Sequence, residues 1–231
     1  MKRKPIEILH EDNHLIVVNK DFCVLSQGDI TREASAFDLV KDYIRVTYNK
    51  PGNIYLALIH RLDRPTGGIL LLAKTSKAAG RLSQQFHDRK VEKTYWAITE
   101  GIPQENQARL RHFHKQMERK NRVQLFPRQV SGSKEAVLDY QLLQKNGRRS
   151  LFEVYPKTGR KHQIRVQLSS LACPIVGDLK YGASAPNPDK SICLLAKKLT
   201  FTHPTKKEPM TIEAPLPRYG AWKAFASLDP H

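Results

Sequence analysis

His60-Arg61-Leu62-Asp63-Arg64-Pro65-Thr66-Gly67-Gly68 joins two apolar runs, residues 55–59 before it and residues 69–73 after it. Both runs read as strands, and the second reads as a buried one because its apolar side chains are continuous. Pro65 and the two glycines force a sharp turn between them. Asp63 therefore sits at a strand end, between the cations Arg61 and Arg64. Loops fixed by rigid strands are where chemistry is usually placed. A neighbouring guanidinium keeps an aspartate ionised, as a nucleophile or base requires. Local sequence alone supports equally well a turn-capping aspartate with an ordinary ion pair.

Working outward, residues 6–9 and 15–18 read as strands around the polar turn Glu11-Asp12-Asn13. Residues 36–48 read as a helix, with Phe37, Val40, Tyr43 or Ile44, and Thr47 near one stripe. Ser76 is placed to cap a second helix whose stripe is Ala79, Leu82 and Phe86. Residues 91–99 alternate as a strand does, and residues 137–143 and 151–155 form a hairpin around Asn146-Gly147. Thr158-Gly159 opens a third helix, with Ile164, Leu168 and Leu171 turned inward. A last hairpin joins residues 199–202 to 210–214 around His203-Pro204. Hairpins with helices between them predict an α+β fold with a mixed, largely antiparallel central sheet and flanking helices.

Charge narrows the function. Thirty-nine Lys and Arg against 22 Asp and Glu give a formal net charge of +17. Cations that meet phosphates release condensed counterions, so this excess favours a polyanion such as RNA. Residues 109–128 concentrate it: Arg109, Arg111, Lys115, Arg119, Lys120, Arg122 and Arg128 stand against Glu118, with histidines and phenylalanines between them. This segment reads as an exposed loop or hairpin. The 3 cysteines, Cys23, Cys173 and Cys193, make no CxxC pair and no disulfide framework. Lys2, Arg3 and Lys4 resemble the start of a signal peptide, but Glu7, Glu11 and Asp12 interrupt the apolar stretch one would need. The run at 69–73 is far below the ~20 apolar residues of a membrane span. A cytoplasmic protein without a membrane segment follows.

Two further segments carry candidate chemistry. Thr158-Gly159-Arg160-Lys161-His162-Gln163-Ile164-Arg165 would aim free N–H groups at an anion if it opens a helix, with Arg160 and Lys161 reinforcing them. A solvated basic helix is the plain alternative. Tyr95 lies on a strand face with Ala97 and Thr99, where an aromatic either stacks on a base or fills a core. A metal site built on His60 and Asp63 lacks companion ligands, and the cations beside His162 oppose one.

Taken together, these segments resemble the RluA family of pseudouridine synthases, whose signature is written HRLDxxTSG. The match begins with Glu11-Asp12 and Leu15-Ile16-Val17-Val18-Asn19-Lys20, then the quoted nine residues and Lys93-Thr94-Tyr95. It continues through residues 158–165 and Gly177-Asp178-Leu179-Lys180-Tyr181-Gly182 to Phe201-Thr202-His203-Pro204. The resemblance implies that Asp63 is the catalytic aspartate and that Tyr95 packs on the target base and assists proton handling at its carbon 5. It implies that Arg165 pairs with the catalytic carboxylate. Arg61 then enters the RNA where the uridine has left the stack, since the glycosidic bond is unreachable inside a helix. Ile164 and Leu168 line the pocket, and Arg160 and Lys161 join the substrate-binding residues. No cofactor and no metal are implied, because the isomerisation changes no oxidation state.

Four positions depart from the family pattern: Gly67 stands where Ser is usual, Asp21 where Pro is usual, Cys23 where Gly is usual and Gln167 where His is common. The expectation is one bilobed catalytic domain over residues 1–231 with a basic active-site cleft and no separate N-terminal RNA-binding module. It acts as a monomer on tRNA or rRNA, with residues 109–128 as a clamp and no obligate protein partner. A non-catalytic RNA-binding protein on the same fold and a metal-dependent nuclease are the rivals.

Overall fold

The computed structural model describes residues 6–117 and 122–228. Lys2, Arg3, Lys4, Glu118, Arg119 and Lys120, which the charge reading used, lie outside the described residues. The strands begin with β1 (Glu7–Glu11), β2 (Leu15–Lys20), β3 (Ala57–Leu58), β4 (Gly67–Ala73), β5 (Glu92–Glu100) and β6 (Gln107–Met117). They continue with β7 (Arg122–Phe126), β8 (Lys134–Asn146), β9 (Arg149–Pro156), β10 (Leu194–Thr202) and β11 (Pro209–Glu213). The helices are α1 (Ala36–Thr47), α2 (Ser76–His87) and α3 (Gln163–Ser169), with 3-10 turns at Leu179–Tyr181 and Gly220–Leu228. The class is α+β, with mixed, largely antiparallel strand pairing and flanking helices. No described helix is long and apolar enough to cross a membrane. The chain divides into two compact units, residues 1–92 with 196–214, and residues 93–195 with 215–231.

In the first unit the strand order is β1-β2-β4-β10, with β3 on β4 and β11 on β10. The apolar runs of β2 and β4 are its core. Leu15, Ile16, Val17, Val18, Leu70, Leu71 and Leu72 are fully buried, each worth roughly 1.5–3 kcal/mol of transfer free energy when large and apolar. The expected strand over 55–59 shrinks to Ala57 and Leu58. The reason is competition: β2 pairs along one whole edge of β4, and β10 shares the other edge with β3.

Helix α1 starts in a capping box, Ser35 Oγ accepting from Asp38 N while the Asp38 carboxylate accepts from Ser35 N. Its buried stripe is Ala36, Val40 and Ile44, and Thr47 is exposed. The cap of α2 is Thr75 rather than Ser76. Thr75 has the extended backbone of a cap and its hydroxyl accepts from Ala78 N, which makes Ser76 the first helical residue. The two ends of the family pattern meet here. The Asp12 carboxylate accepts from His14 N, Leu15 N and His203 Nε2. Burial works against its charge, but these donors and His10 outweigh it and hold the carboxyl well below the usual range.

In the second unit the order is β5-β9-β8-β6-β7, antiparallel throughout. Within residues 109–128 the described parts are strands β6 and β7, paired antiparallel, as the sequence allowed. The arginines of β6 are answered from the next strand: Arg109 pairs with Asp139 at 2.6 Å and Arg111 with Glu135 at 2.6 Å. The turn between β8 and β9 is Gly147-Arg148, one residue later than expected, because Asn146 still pairs with Arg149. The helix expected to open at Thr158 begins at Gln163. Gln163 Oε1 accepts from Thr158 Oγ1 and Arg160 N, so those residues form a side-chain-bonded loop instead of a first turn. Leu171 falls beyond its end.

Candidate active site

In the first unit the backbone on both sides of Asp63 is gripped. Asp63 O accepts from Thr66 N at 3.0 Å, which closes the turn over Arg64 and Pro65. Before Asp63, Ser26 Oγ donates to Leu62 O at 2.8 Å and accepts from Leu62 N at 3.0 Å. After Asp63, Lys20 Nζ donates to Arg64 O at 3.3 Å, to Val24 O at 2.7 Å and to Asp21 O at 3.1 Å. The register of β2 on β4 places Lys20 opposite Gly68, so its side chain enters beneath the turn.

Lys20 is fully buried. Burial pushes its ammonium from the ordinary 10.5 down to about 7, against the opposing charges of Cys23, Asp21 and Asp63. Arg64 turns to Glu33 at 2.5 Å and to Cys23 O at 3.2 Å. Lys20 is a buried cation within electrostatic reach of the half-buried Asp63. Lys20 ends the motif at residues 15–20, in which the sequence gives it no role. The signal was a charge closing an otherwise apolar strand.

Arg61 is exposed. His60 is structural: its Nε2 accepts from Leu71 N at 3.1 Å and its ring stacks on Phe86 at 5.1 Å. Gly67 and Gly68 have separate reasons. A Cβ on Gly67 would lie 2.6 Å from the Phe22 ring, so Phe22 fills the space that a side chain here would need. Gly68 has φ +106, and its Cβ would lie 2.4 Å from Ala196 O.

The second unit holds the remaining sequence-predicted residues. Arg165, the third residue of α3, is buried and makes a two-pronged bond to Asp178, Nε to Oδ2 at 2.6 Å and Nη2 to Oδ1 at 2.8 Å. Its Cζ lies 5.2 Å from the centre of the Tyr181 ring. Asp178 and Tyr181 stood in the sequence pattern with no role assigned. Nothing local ties them to Arg165, because the tie is made by the fold.

Tyr95 is half-buried on β5 opposite Val154. The next residue, Trp96, donates from Nε1 to Glu153 Oε1 at 3.1 Å. Alternation along the strand turns Tyr95 to the other face. Arg160 is held by its Nε on Glu135 O at 3.0 Å, while Lys161 is exposed and its carbonyl accepts from His114 Nε2 at 2.7 Å. Ile164 and Leu168 are buried. Gln167 bonds His112 Nδ1, Leu110 O and Ala136 O through its Nε2. Among the described residues no group of His, Cys, Asp and Glu is arranged to hold a metal ion.

Known proteins supply a frame for this geometry. A family model described as RNA pseudouridylate synthase matches residues 14–170. The chain is 36% identical over 230 residues to a tRNA pseudouridine synthase C from Haemophilus ducreyi, covering 90% of each. It is 32% identical over 220 residues to a ribosomal large subunit pseudouridine synthase C from Buchnera aphidicola, covering 90% of this chain and 66% of that enzyme's length. A solved human structure, RNA pseudouridylate synthase domain containing 4, superposes with TM-score 0.79 at 27% identity, covering 95% of this chain and 92% of that one.

Proposed function

Because the chain belongs to the RluA-type RNA pseudouridine synthases, we propose that it converts uridine in tRNA or rRNA to pseudouridine with Asp63 as its catalytic carboxylate. In this isomerisation the bond from ribose C1′ to uracil N1 breaks, the base turns, and C1′ joins C5. The C5 proton then leaves and N1 gains one. Atoms and electrons balance without a co-reactant.

The observation that carries the assignment is the double grip on Leu62 and Arg64, which fixes the backbone at Asp63 while leaving its side chain partly accessible. Preorganised charge of this kind stabilises a developing transition state without reorganisation. Tyr95 stacks on the everted base, Arg61 takes the place the uridine leaves, and Arg165 is the active-site arginine. Arg160 and Lys161 meet substrate phosphate, and Ile164 and Leu168 shape the pocket around the base. The exposed cations of the hairpin of β6 and β7 grip RNA. We place the enzyme in the cytoplasm as a monomer.

The deciding experiment is Asp63→Asn assayed on total RNA from cells lacking the gene. Pseudouridine formation should fall by at least about 1000-fold while RNA affinity stays within about threefold. Turnover near the wild-type rate would remove Asp63 from the mechanism.

A further inference from the structure

We propose that Tyr181 is a positioning residue that ties the basic hairpin of β6 and β7 to the guanidinium of Arg165, an inference that rests on the RNA-modifying reading above. Its ring and its hydroxyl have separate partners. The ring lies against Arg165, whose Cζ is 5.2 Å from the ring centre, within the range of a cation–π contact. Three residues earlier, Asp178 holds the same guanidinium by both carboxylate oxygens.

The hydroxyl accepts from Val123 N on β7 at 3.1 Å and lies 2.8 Å from His162 Nδ1, to which it can donate its own proton. Strand β7 is the outermost of its unit. An outer strand presents N–H groups with no neighbouring strand to receive them. At Val123 the tyrosine hydroxyl takes that place.

Packing and further bonds reinforce the tie. Val123, Val166 and Tyr181 form a buried apolar cluster with Leu125 against it. Arg122 donates to Lys180 O, and Ser169 Oγ donates to Tyr181 O at 2.6 Å. Residues 178–181 are thus fastened on one side to α3, which carries Arg165, and on the other to β7. Force on the hairpin from bound RNA reaches the guanidinium through the Tyr181 side chain and the contacts around it.

The test compares Tyr181→Phe and Tyr181→Leu with the wild-type chain, measuring initial rates of pseudouridine formation against the concentration of total RNA from cells lacking the gene. Phe keeps the ring and removes the hydroxyl. Its KM should rise about fivefold, with kcat within about twofold, because one hydrogen bond to the hairpin is lost. Leu removes the ring as well, and kcat should fall about tenfold, a loss that Phe restores. Partial unfolding lowers the active fraction and so lowers kcat without raising KM, which separates it from the expected pattern. Hydrogen exchange at the Val123 amide should quicken about fivefold or more in both variants. Wild-type KM with wild-type exchange in Tyr181→Phe overturns the proposal. A wild-type chain that makes no pseudouridine sinks the functional reading instead, and the exchange measurement then decides the tie by itself.

Discussion

Around Asp63 the polypeptide itself is gripped, Leu62 by Ser26 and Arg64 by Lys20, whereas Arg165 is gripped at its guanidinium by Asp178 and Tyr181. The two devices respond differently to change. A backbone grip acts on main-chain groups, so these bonds at Leu62 and Arg64 persist when the Asp63 side chain is replaced. A side-chain grip makes the functional group part of the packing, so function and stability are lost together.

The sharpest break of that contrast is Asp178→Asn set against Asp63→Asn. Asp178 and Arg165 are both buried, and removing one charge from a buried pair typically costs about 3 kcal/mol or more. Asp178→Asn should therefore lower the urea unfolding free energy by about 3 kcal/mol. Asp63→Asn should change it by less than about 1 kcal/mol, as a half-buried turn residue does. Equal losses in the two variants would erase the distinction drawn here.

The same contrast explains what could be read in the sequence. Strands β2 and β4 and helices α1 and α2 are legible because their apolar periodicity is local and their cores are made of those same residues. Asp63 is legible for a related reason, since its turn is written in contiguous Pro65, Gly67 and Gly68. The surroundings of Arg165 are not, because Asp178 and Tyr181 reach it through the fold. The hairpin of β6 and β7 fails in the same way: its sequence is almost purely basic, yet Asp139 and Glu135 on β8 neutralise Arg109 and Arg111. The late start of α3 depends on the Gln163 side chain bonding backward to Arg160 N and Thr158. Pattern reading has no term for such a bond.

Lys20 tests the backbone grip directly. Lys20→Met keeps the volume and removes three donors to carbonyls, which should cost about 2 kcal/mol. It should also remove a pH signature. The folded ammonium titrates near 7 and the unfolded one near 10.5. Between those values the unfolded chain binds the proton that the folded chain has shed, so wild-type stability rises with pH through this window and is lost as pH falls through 7. The slope is at most about 1.4 kcal/mol per pH unit. Urea midpoints at pH 7 and pH 10 should therefore climb for wild type relative to Lys20→Met. Parallel profiles would show that the ammonium keeps its proton throughout, held by its carbonyl partners.

The smallest effect comes from the strained residue that leads into this grip. Cys23 has φ +63, a left-handed backbone that favours glycine. Its carbonyl accepts from Arg64 Nε and the following Val24 carbonyl accepts from Lys20 Nζ. The conformation is thus imposed by the contacts that fix the turn at Asp63. A side chain in this region costs about 1–2 kcal/mol, while glycine's greater freedom in the unfolded chain takes back about 0.5–1 kcal/mol. Cys23→Gly should therefore stabilise the protein by about 0.5 kcal/mol and leave pseudouridine formation unaltered. A destabilised Cys23→Gly would mean that the thiol, half-buried in the first unit, contributes packing that outweighs the backbone strain, and that side chains as well as main chain hold the turn.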